Sequence, residues 1–431
     1  MDLTTHWIGL LAVLIFVAAY GLVIFEETTR MRKSKPVMLA GGLIWVLIGL
    51  AYAQTGQADV AHDKAVEVIE EYGELFLFLL VAITYVNTLE ERRVFDVLRA
   101  KLVNMGLGYR QLFWLTGAVA FPLSATLDNL TTSLIMGAVV MAVGSHSPRF
   151  VALGCVNIVV AANAGGAYSP FGDITTLMVW QTGKLDFFDF PLLFIPSIVN
   201  WLVPAIMMHF AVPGTKPEPR TDRVSLKPGA RGVILLFAAT IVTAITFKNA
   251  LHLPPALGMM LGLGYLQLWS FILQRLGTRR NDDDMILDSF AQIARVEWDT
   301  LLFFFGIIFA VGGLGVLGYL ALASEYLYTG WGPTPANIII GVLSAIVDNI
   351  PLMFAVLTMN PSMSEGQWLL ITLTTGVGGS ILSIGSAAGV ALMGQARGIY
   401  TFSSHLRWSW AIALGYAASV ITHLILNAGT F

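Results

Sequence analysis

The chain has 431 residues, of which 56% are hydrophobic and 12% are charged, and its formal net charge is −3. Since soluble domains carry about 25% charged residues, this composition excludes a soluble enzyme of this size. The balance of 24 basic and 27 acidic residues excludes a polybasic nucleic-acid binder, and the single cysteine excludes a disulfide framework and a Cys-based metal site. The sequence therefore predicts an all-α polytopic membrane protein with no nucleic-acid partner.

Eight apolar segments are long enough to cross a bilayer, because a spanning helix needs about 20 apolar residues. In chain order they are residues 7–25, 37–53, 73–89, 191–212, 231–247, 254–274, 299–322 and 406–428. Before the third of them, residues 59–72 alternate acids with valine and isoleucine, which is typical of a separate amphipathic surface helix. Four further segments have a polar, Gly-rich or Pro-containing interruption near their middle: 111–144, 150–182, 335–359 and 366–396.

Lysine and arginine set the orientation of the spans, because cytoplasmic loops are enriched in these residues. We predict that 111–144 and 335–359 are re-entrant hairpins. In 335–359 the arms of about 11–13 residues around Asp348 are too short to span at 1.5 Å per residue. The segment 111–144 is longer, and for it alone two full crossings are the alternative. The segments 150–182 and 366–396 then cross once each, which gives ten crossings with both termini external. All basic residues except Lys64, Lys184 and Lys248 fall on the inner side, among them Arg30, Arg220 and Arg223. No basic residue precedes the first span, so we expect no cleaved signal peptide.

The two halves of the chain repeat their unusual parts. Ser-Ala-Thr-Leu-Asp-Asn at 124–129 resembles Ser-Ala-Ile-Val-Asp-Asn at 344–349, and Gly165-Gly166 aligns without a gap on Gly378-Gly379. Each half has three spans, a re-entrant hairpin, an interrupted span and a closing span. Five crossings per half is an odd number, so the repeats must be inverted, as in secondary transporters. We predict an N-terminal repeat 1–212, a cytoplasmic linker 213–230 and a C-terminal repeat 231–431.

Three acids lie at depth in the apolar segments: Asp128, Asp173 and Asp348. A charge within the membrane is costly and marks an ion or proton pathway. Without a basic partner in these segments, the site suits a cation or a proton and would repel a carboxylate or phosphate. Oxygen-bearing neighbours of the kind that hard cations take complete the predicted ion and proton site: Asn129, Thr131, Thr132, Asn163, Ser169, Thr175, Thr176, Asn349, Ser380, Ser383 and Ser386.

Helix capping is the alternative role for these residues. Each Asp-Asn pair could satisfy the free N–H groups at the start of the second hairpin arm, and Asp173 could cap a helix over 174–182. We expect the asparagines to do most of the capping, because a buried aspartate is a costly cap where serine or asparagine would serve. The adjoining Thr175 and Thr176 could bond only their own helix, and the glycine pairs could serve close helix packing instead of helix breaks.

Four stretches carry a family resemblance: SATLDNLTTSLIM (124–136), NAGGAYSPFGDITTLMVW (163–180), SAIVDNIPLMF (344–354) and GGSILSIGSAAGVALMG (378–394). With them the chain resembles the NhaD-type sodium/proton antiporters of the ion transporter superfamily. The resemblance implies a scaffold from 7–89 and 231–322, a transport unit from 111–212 and 335–431, a homodimer and an elevator-like motion. Dicarboxylate symporters of the superfamily have Ser-Asn-Thr at the hairpin tips, so the Asp-Asn tips here disfavour that substrate.

These observations predict a secondary transporter, not an enzyme, that exchanges cytoplasmic Na⁺ and also Li⁺ for external protons and so contributes to sodium and pH homeostasis. Sodium would bind at Asp128, Asp348 and Asp173, and we rank the first two ahead of Asp173 as proton carriers. We expect no cofactor beyond the transported ions, and a place in the lipid of a bacterial inner membrane. The alternatives are a Na⁺-coupled symporter or an oxyanion or metalloid exporter on the same fold, and a passive cation channel. An intramembrane aspartyl protease is disfavoured, because the tip acids lack Tyr-Asp and Gly-x-Gly-Asp contexts.

Overall fold

The computed structural model describes residues 2–24, 26–29, 31–217 and 224–431. Arg30, Arg220 and Arg223, which we assign to the inner side, lie outside these residues. Across the described residues the chain forms helices joined by turns and loops, and no strand occurs among them. Seven helices in this part of the chain are long and apolar enough to cross a membrane. The prediction of an all-α polytopic membrane protein is therefore confirmed, whereas ten crossings, inverted repeats and re-entrant hairpins stay predictions.

The helices of the N-terminal half are α1 (Trp7–Ile24), α2 (Glu26–Thr29), α3 (Ser34–Gln54), α4 (Ala58–Glu91), α5 (Val94–Asn104), α6 (Tyr109–Ser124), α7 (Asn129–Val143), α8 (Pro148–Gly166), α9 (Ile174–Gln181) and α10 (Phe194–His209). Those of the C-terminal half are α11 (Ala230–Asn249), α12 (Pro255–Arg280), α13 (Ser289–Ala294), α14 (Trp298–Val316), α15 (Tyr319–Ser324), α16 (Pro333–Leu343), α17 (Asn349–Met359), α18 (Glu365–Gly378), α19 (Ala387–Gln395), α20 (Phe402–Leu406) and α21 (Ser409–Leu426). A π-helical segment, Glu325–Trp331, follows α15.

The chain forms two compact units, and each takes segments from both halves of the sequence. The first unit comprises Met1–Thr88, Gly232–Gly332 and Phe354–Pro361. The second comprises Leu89–Arg231, Pro333–Met353 and Ser362–Phe431. The predicted repeats, linker, scaffold and transport segments concern sequence similarity and motion, and they stay predictions.

Close packing of α3 on α14 forms the centre of the first unit. A Cβ atom on Gly306 would lie 2.5 Å from the Met38 backbone nitrogen, so the helices approach at backbone distance. The Trp45 indole nitrogen donates to the Phe309 carbonyl at 3.0 Å, and Ser34 donates to Asp299. Small residues permit such close packing where no hydrophobic effect operates between helices in lipid.

Two sequence-based boundaries in the first unit are wrong. Residues 59–72 and the span 73–89 belong to one continuous 34-residue helix, α4, because no proline interrupts them and Gly73 stays helical. The predicted span 299–322 ends early, at Val316, because Gly318 adopts a left-handed φ of 100° and α15 begins after it. An apolar run alone does not reveal a turn of this kind.

In the second unit, the last residue of α4 and the residue after it hold the end of the linker through a partly buried ion cluster. The fully buried guanidinium of Arg92 pairs with Glu91 and donates to the Pro228 carbonyl at 3.1 Å. Lys227 donates to the same Glu91 carboxylate at 3.0 Å. Burial opposes the charged form of Glu91, but the hydrogen bonds and charges of Arg92 and Lys227 prevail and hold its pKa below the ordinary value. The carboxylate therefore stays ionised and ties Lys227 to the end of α4.

Four interruptions in the second unit position the candidate site. The helices on either side of residues 125–128 are α6 and α7, and those on either side of 344–348 are α16 and α17. The break at 167–173 directly follows Gly165-Gly166, which end α8, and the break at 379–386 begins at Gly379, directly after α18 ends at Gly378. Sequence analysis predicts all four positions, and the interpretation of the glycine pairs as helix breaks is confirmed.

Each of these glycine pairs also permits a close helix crossing. A Cβ on Gly165 would lie 2.0 Å from the Phe121 carbonyl oxygen, and one on Gly378 would lie 1.9 Å from the Gly341 carbonyl oxygen. The clashing atoms are backbone atoms of α6 and α16, respectively, so an added Cβ would fit only if two helices moved apart. The alternative of close packing therefore holds together with the helix break.

We expect Gly378→Ala to destabilise the protein by about 1–3 kcal/mol, the usual cost of overpacking. Thermal unfolding of the purified protein in detergent measures the change. The matched control is Gly394→Ala in α19, where an added Cβ meets nothing within 4 Å; helix propensity predicts that it is neutral or stabilising by up to ~1 kcal/mol. Equal melting temperatures for the two variants would contradict the close crossing.

Candidate ion-binding site

The candidate site is centred on Asp173, in the break between α8 and α9. Its side chain is 4% exposed and caps α9: Oδ1 accepts from the Thr175 backbone N–H and from the Thr175 hydroxyl, both at 2.9 Å. The predicted cap is thus present. The other carboxylate oxygen, Oδ2, faces away from this cap and receives different donors.

The helix breaks at 125–128 and 344–348, which are the predicted hairpin tips, both contact Asp173 through the asparagine that follows them. Asn129 Nδ2 donates to Asp173 Oδ2 at 2.8 Å, and Asn349 Nδ2 donates to the same oxygen at 3.1 Å and to Oδ1 at 3.3 Å. These asparagines are the first residues of α7 and α17. Segments that are far apart in the sequence, including Asn349 at a separation of 176 residues from Asp173, therefore meet at one carboxylate.

A third amide extends the site toward the break in the C-terminal half. Asn163 is fully buried in α8; its Oδ1 accepts from Asn129 at 2.9 Å. Its Nδ2 donates to Ser380 Oγ at 2.8 Å and to Ser386 Oγ at 3.0 Å. Ser386 also caps α19 by accepting from the Gly389 backbone, and it aligns with Asp173 in the repeat. One half of the chain therefore supplies an acid where the other supplies a hydroxyl.

The tip aspartates occupy a different position from the tip asparagines. Asp128 is half-buried, and its oxygens accept from the Thr131 backbone N–H and hydroxyl, each at 2.7 Å. Asp348 is half-buried and close enough to Asp173 for an electrostatic interaction. The expectation that asparagine would do the capping is therefore wrong at the first tip, where Asp128 caps α7 and Asn129 faces Asp173. Adjacent positions carry both residue types, so the sequence does not distinguish the two roles.

The remaining predicted residues have mixed surroundings. Thr176 donates to the Ser169 and Asp173 carbonyls at 2.8 and 2.6 Å. Its hydroxyl thus bonds to the backbone, in line with the alternative to an ion-binding role. Ser383 donates to the Met393 sulfur at 3.3 Å. Thr132 is fully buried, and its hydroxyl has no hydrogen-bond partner among the described residues. Thus Asn129, Asn163, Asp173, Thr175, Asn349, Ser380 and Ser386 form one hydrogen-bonded group, and Ser383 lies outside it.

The chemistry of this group suits a monovalent cation or a proton. It has one buried carboxylate, three amides, two serine hydroxyls and one threonine hydroxyl, and hard cations take oxygen ligands of these kinds. Within the described part of the chain, no three acidic, histidine or cysteine side chains converge as a metal cluster. Neutral oxygens outnumber the carboxylates of Asp173 and its neighbour Asp348, and this low number of anionic ligands favours a singly charged ion over a divalent one.

An all-helical membrane protein with such a carboxylate between broken helices belongs to the class of ion-transporting membrane proteins. The sequence model of the family described as "Citrate transporter" matches residues 8–376. The "Na(+)/H(+) antiporter NhaD" of Halomonas elongata is 55% identical, with 100% of this chain and 91% of the relative covered. The NhaD of Vibrio cholerae is 53% identical, with 100% and 94% covered. "Sodium/proton antiporter 1" of Arabidopsis thaliana is 34% identical, with 96% and 72% covered.

The chain belongs to the citrate transporter family and, within the sequences that it matches, to the NhaD-type Na⁺/H⁺ antiporters. The resemblance drawn from the four stretches is thereby confirmed. Membership also confirms that the protein is an integral membrane transporter and not an enzyme.

Proposed function

We propose that this protein exchanges cytoplasmic Na⁺ for external H⁺ at the site around Asp173. The observation that carries the proposal is the convergence of both tip asparagines on one buried carboxylate. The activity that the relatives' names state, Na⁺/H⁺ antiport, supports it. An ionised carboxylate attracts either cation, so Na⁺ and H⁺ compete and each displaces the other.

The side chains around Asp173 have different roles in the proposed exchange. Asp173 holds the proton or balances the charge of Na⁺, and the amide and hydroxyl oxygens around it replace the water that a hard cation sheds. Asp348 adds negative charge beside Asp173, and Asp128 holds the first turn of α7. Because Asp173 is the most buried of the three acids, we rank it ahead of Asp128 and Asp348 as the proton carrier, the reverse of the sequence-based order.

Several finer features belong to the same proposal. Li⁺ has the same charge and ligand preference as Na⁺, so we propose it as a second substrate. All the site residues belong to the second compact unit, which supports an elevator-like mechanism in which that unit carries the ion. A homodimer, a bacterial inner membrane, external termini and a role in sodium and pH homeostasis follow from the resemblance and the basic-residue bias.

Liposomes that contain the purified protein and an internal pH dye test the exchange. An imposed Na⁺ gradient should drive proton movement in the opposite direction, and an equal Li⁺ gradient should do the same. Empty liposomes and an equal K⁺ gradient serve as controls. Absence of Na⁺-driven proton movement with folded, monodisperse protein would overturn the proposal.

Citrate transport is a second candidate, because the matching family model is described by that substrate. The site's geometry disfavours it: the described groups around Asp173 are amides, hydroxyls and the Asp348 carboxylate, which would repel a tricarboxylate. Uptake of labelled citrate by the same liposomes, with and without Na⁺, distinguishes the candidates. Citrate uptake without proton antiport would favour a symporter instead.

A further inference from the structure

A buried histidine outside the predicted site holds the backbone of the break after α18. His405 in α20 is fully buried, and its Nε2 lies 2.8 Å from the Ser380 carbonyl oxygen. Its other ring nitrogen, Nδ1, lies 2.7 Å from the hydroxyl of Tyr400, which is 1% exposed. The ring therefore joins Tyr400 to the unwound segment.

The two contacts fix the protonation and orientation of the ring. A carbonyl oxygen only accepts, so Nε2 carries the hydrogen and donates to Ser380. In the neutral ring Nδ1 is then an acceptor, and the Tyr400 hydroxyl donates to it. A histidine bound on both sides in one tautomer has little freedom to rotate, and it holds the Ser380 carbonyl at a defined place.

Ser380 connects this contact to the ion site. Its hydroxyl accepts from Asn163, whose own oxygen accepts from Asn129, and Asn129 donates to Asp173. A shift of the Ser380 backbone therefore moves a hydroxyl that orients the amides around the carboxylate. Ser409 adds a second tie to the same segment by donating to the Ile381 carbonyl at 2.6 Å.

The corresponding break in the N-terminal half is held in another way. Ala167 aligns with Ser380 and has no hydroxyl to offer. The next residue, Tyr168, packs its ring against Phe121 and Phe194, with ring centres 5.1 and 5.2 Å apart. Aromatic packing of Tyr168 contributes to holding the first break, whereas hydrogen bonds from His405 and Ser409 hold the second, and the position of the Ser380 carbonyl depends on His405.

We infer that His405, oriented by Tyr400, is a positioning residue for the ion site, which it controls through the Ser380 backbone and Asn163. The inference deepens the proposed function and rests on it. His405 does not touch the ion; it sets the geometry of groups that do. Residues that orient metal ligands in this way commonly change affinity by about 10–100-fold when they are replaced.

The test measures Na⁺/H⁺ exchange against Na⁺ concentration in liposomes. His405→Leu keeps an apolar side chain of similar size but loses the donor, and we expect the Na⁺ concentration for half-maximal exchange to rise roughly tenfold. His405→Gln, with an amide N–H that can reach the Ser380 carbonyl, should restore most of the affinity. Tyr400→Phe removes one hydroxyl only and should give a smaller rise, about threefold, in line with one lost hydrogen bond.

His423 provides a matched control in α21. It is also fully buried, its Nε2 donates to the Gly366 carbonyl at 2.9 Å, and its Nδ1 pairs with Asn427 at 2.8 Å. Gly366 lies at the start of α18, at the opposite end from the break. We expect His423→Leu to lower the melting temperature without changing the Na⁺ concentration for half-maximal exchange.

Each result decides between the two levels of the proposal. Wild-type protein without Na⁺-driven proton movement overturns the proposed function. An active wild type with the same half-maximal Na⁺ concentration in His405→Leu, or with an equal rise in His423→Leu, overturns the role of His405 alone. If His405→Leu does not fold, the other two variants decide. An unchanged Na⁺ concentration for half-maximal exchange in Tyr400→Phe overturns the inference, and so does a value in His405→Gln that is higher than that in Tyr400→Phe.

Discussion

The Asp173→Asn variant is expected to lose Na⁺/H⁺ exchange completely while it retains its fold. Asparagine has the size of aspartate and an oxygen that can still accept from the Thr175 N–H, so the cap of α9 survives. The charge that attracts both transported cations is lost. Dye-monitored proton movement in liposomes should equal that of empty liposomes, with the melting temperature close to that of the wild type.

Two further variants separate this loss from the loss of a cap. Asp173→Ser places at this position the residue that caps α19 in the other half, Ser386, so it should fold and fail to transport. Asp288→Asn alters an exposed aspartate that caps α13 by accepting from the Phe290 and Ala291 N–H groups, and it should exchange normally. Normal exchange by Asp173→Ser would reduce Asp173 to a cap and contradict the proposed site.

The second large effect is expected at the hairpin tips, where Asp128→Asn and Asp348→Asn should each abolish exchange without unfolding the protein. Asp348→Asn removes the charge that acts on Asp173. Asp128→Asn removes the negative charge beside Asn129, while the amide oxygen can still accept from the Thr131 N–H and cap α7, so the expected loss comes from the charge and not from the cap.

Thr131→Val is the control for the first tip. It removes the hydroxyl that donates to Asp128 but keeps the carboxylate and the backbone N–H contact. We expect it to retain most of the exchange activity, whereas Asp128→Asn retains none in the same liposome assay. Full activity in either aspartate variant would remove that residue from the site.

Local patterns made much of the fold predictable. The glycine pairs and the tip motifs mark helix breaks because unwinding depends on residues adjacent in sequence, and all four breaks lie at these motifs. The boundary between 72 and 73 failed for the opposite reason: the charge pattern changes inside α4, but nothing in the backbone stops the helix. The predicted span over 299–322 is too long because hydropathy contains no information on φ, and the left-handed Gly318 follows the end of the helix.

The site was predictable in composition but not in arrangement. Buried acids and amides can be recognised because charge is costly in a membrane. The direction in which each side chain points depends on contacts between distant segments, as with Asn129, which donates to Asp173, whereas the neighbouring Asp128 accepts from Thr131. His405 gave no signal in sequence, because its partner is a backbone carbonyl that any residue could supply.

The amides of Asn129 and Asn349 each have a donor end and an acceptor end, and both present the donor end to Asp173. That orientation suits an ionised, ion-free carboxylate. A half-turn about the Cβ–Cγ bond presents oxygen instead, which suits Na⁺ or the hydrogen of a protonated acid. Because Asn129 also bonds Asn163, such a rotation reverses the polarity of the hydrogen bonds that lead to Ser380. Under the proposed function, binding or release of a cation at Asp173 would therefore reverse the chain of hydrogen bonds that leads from this carboxylate to Ser380.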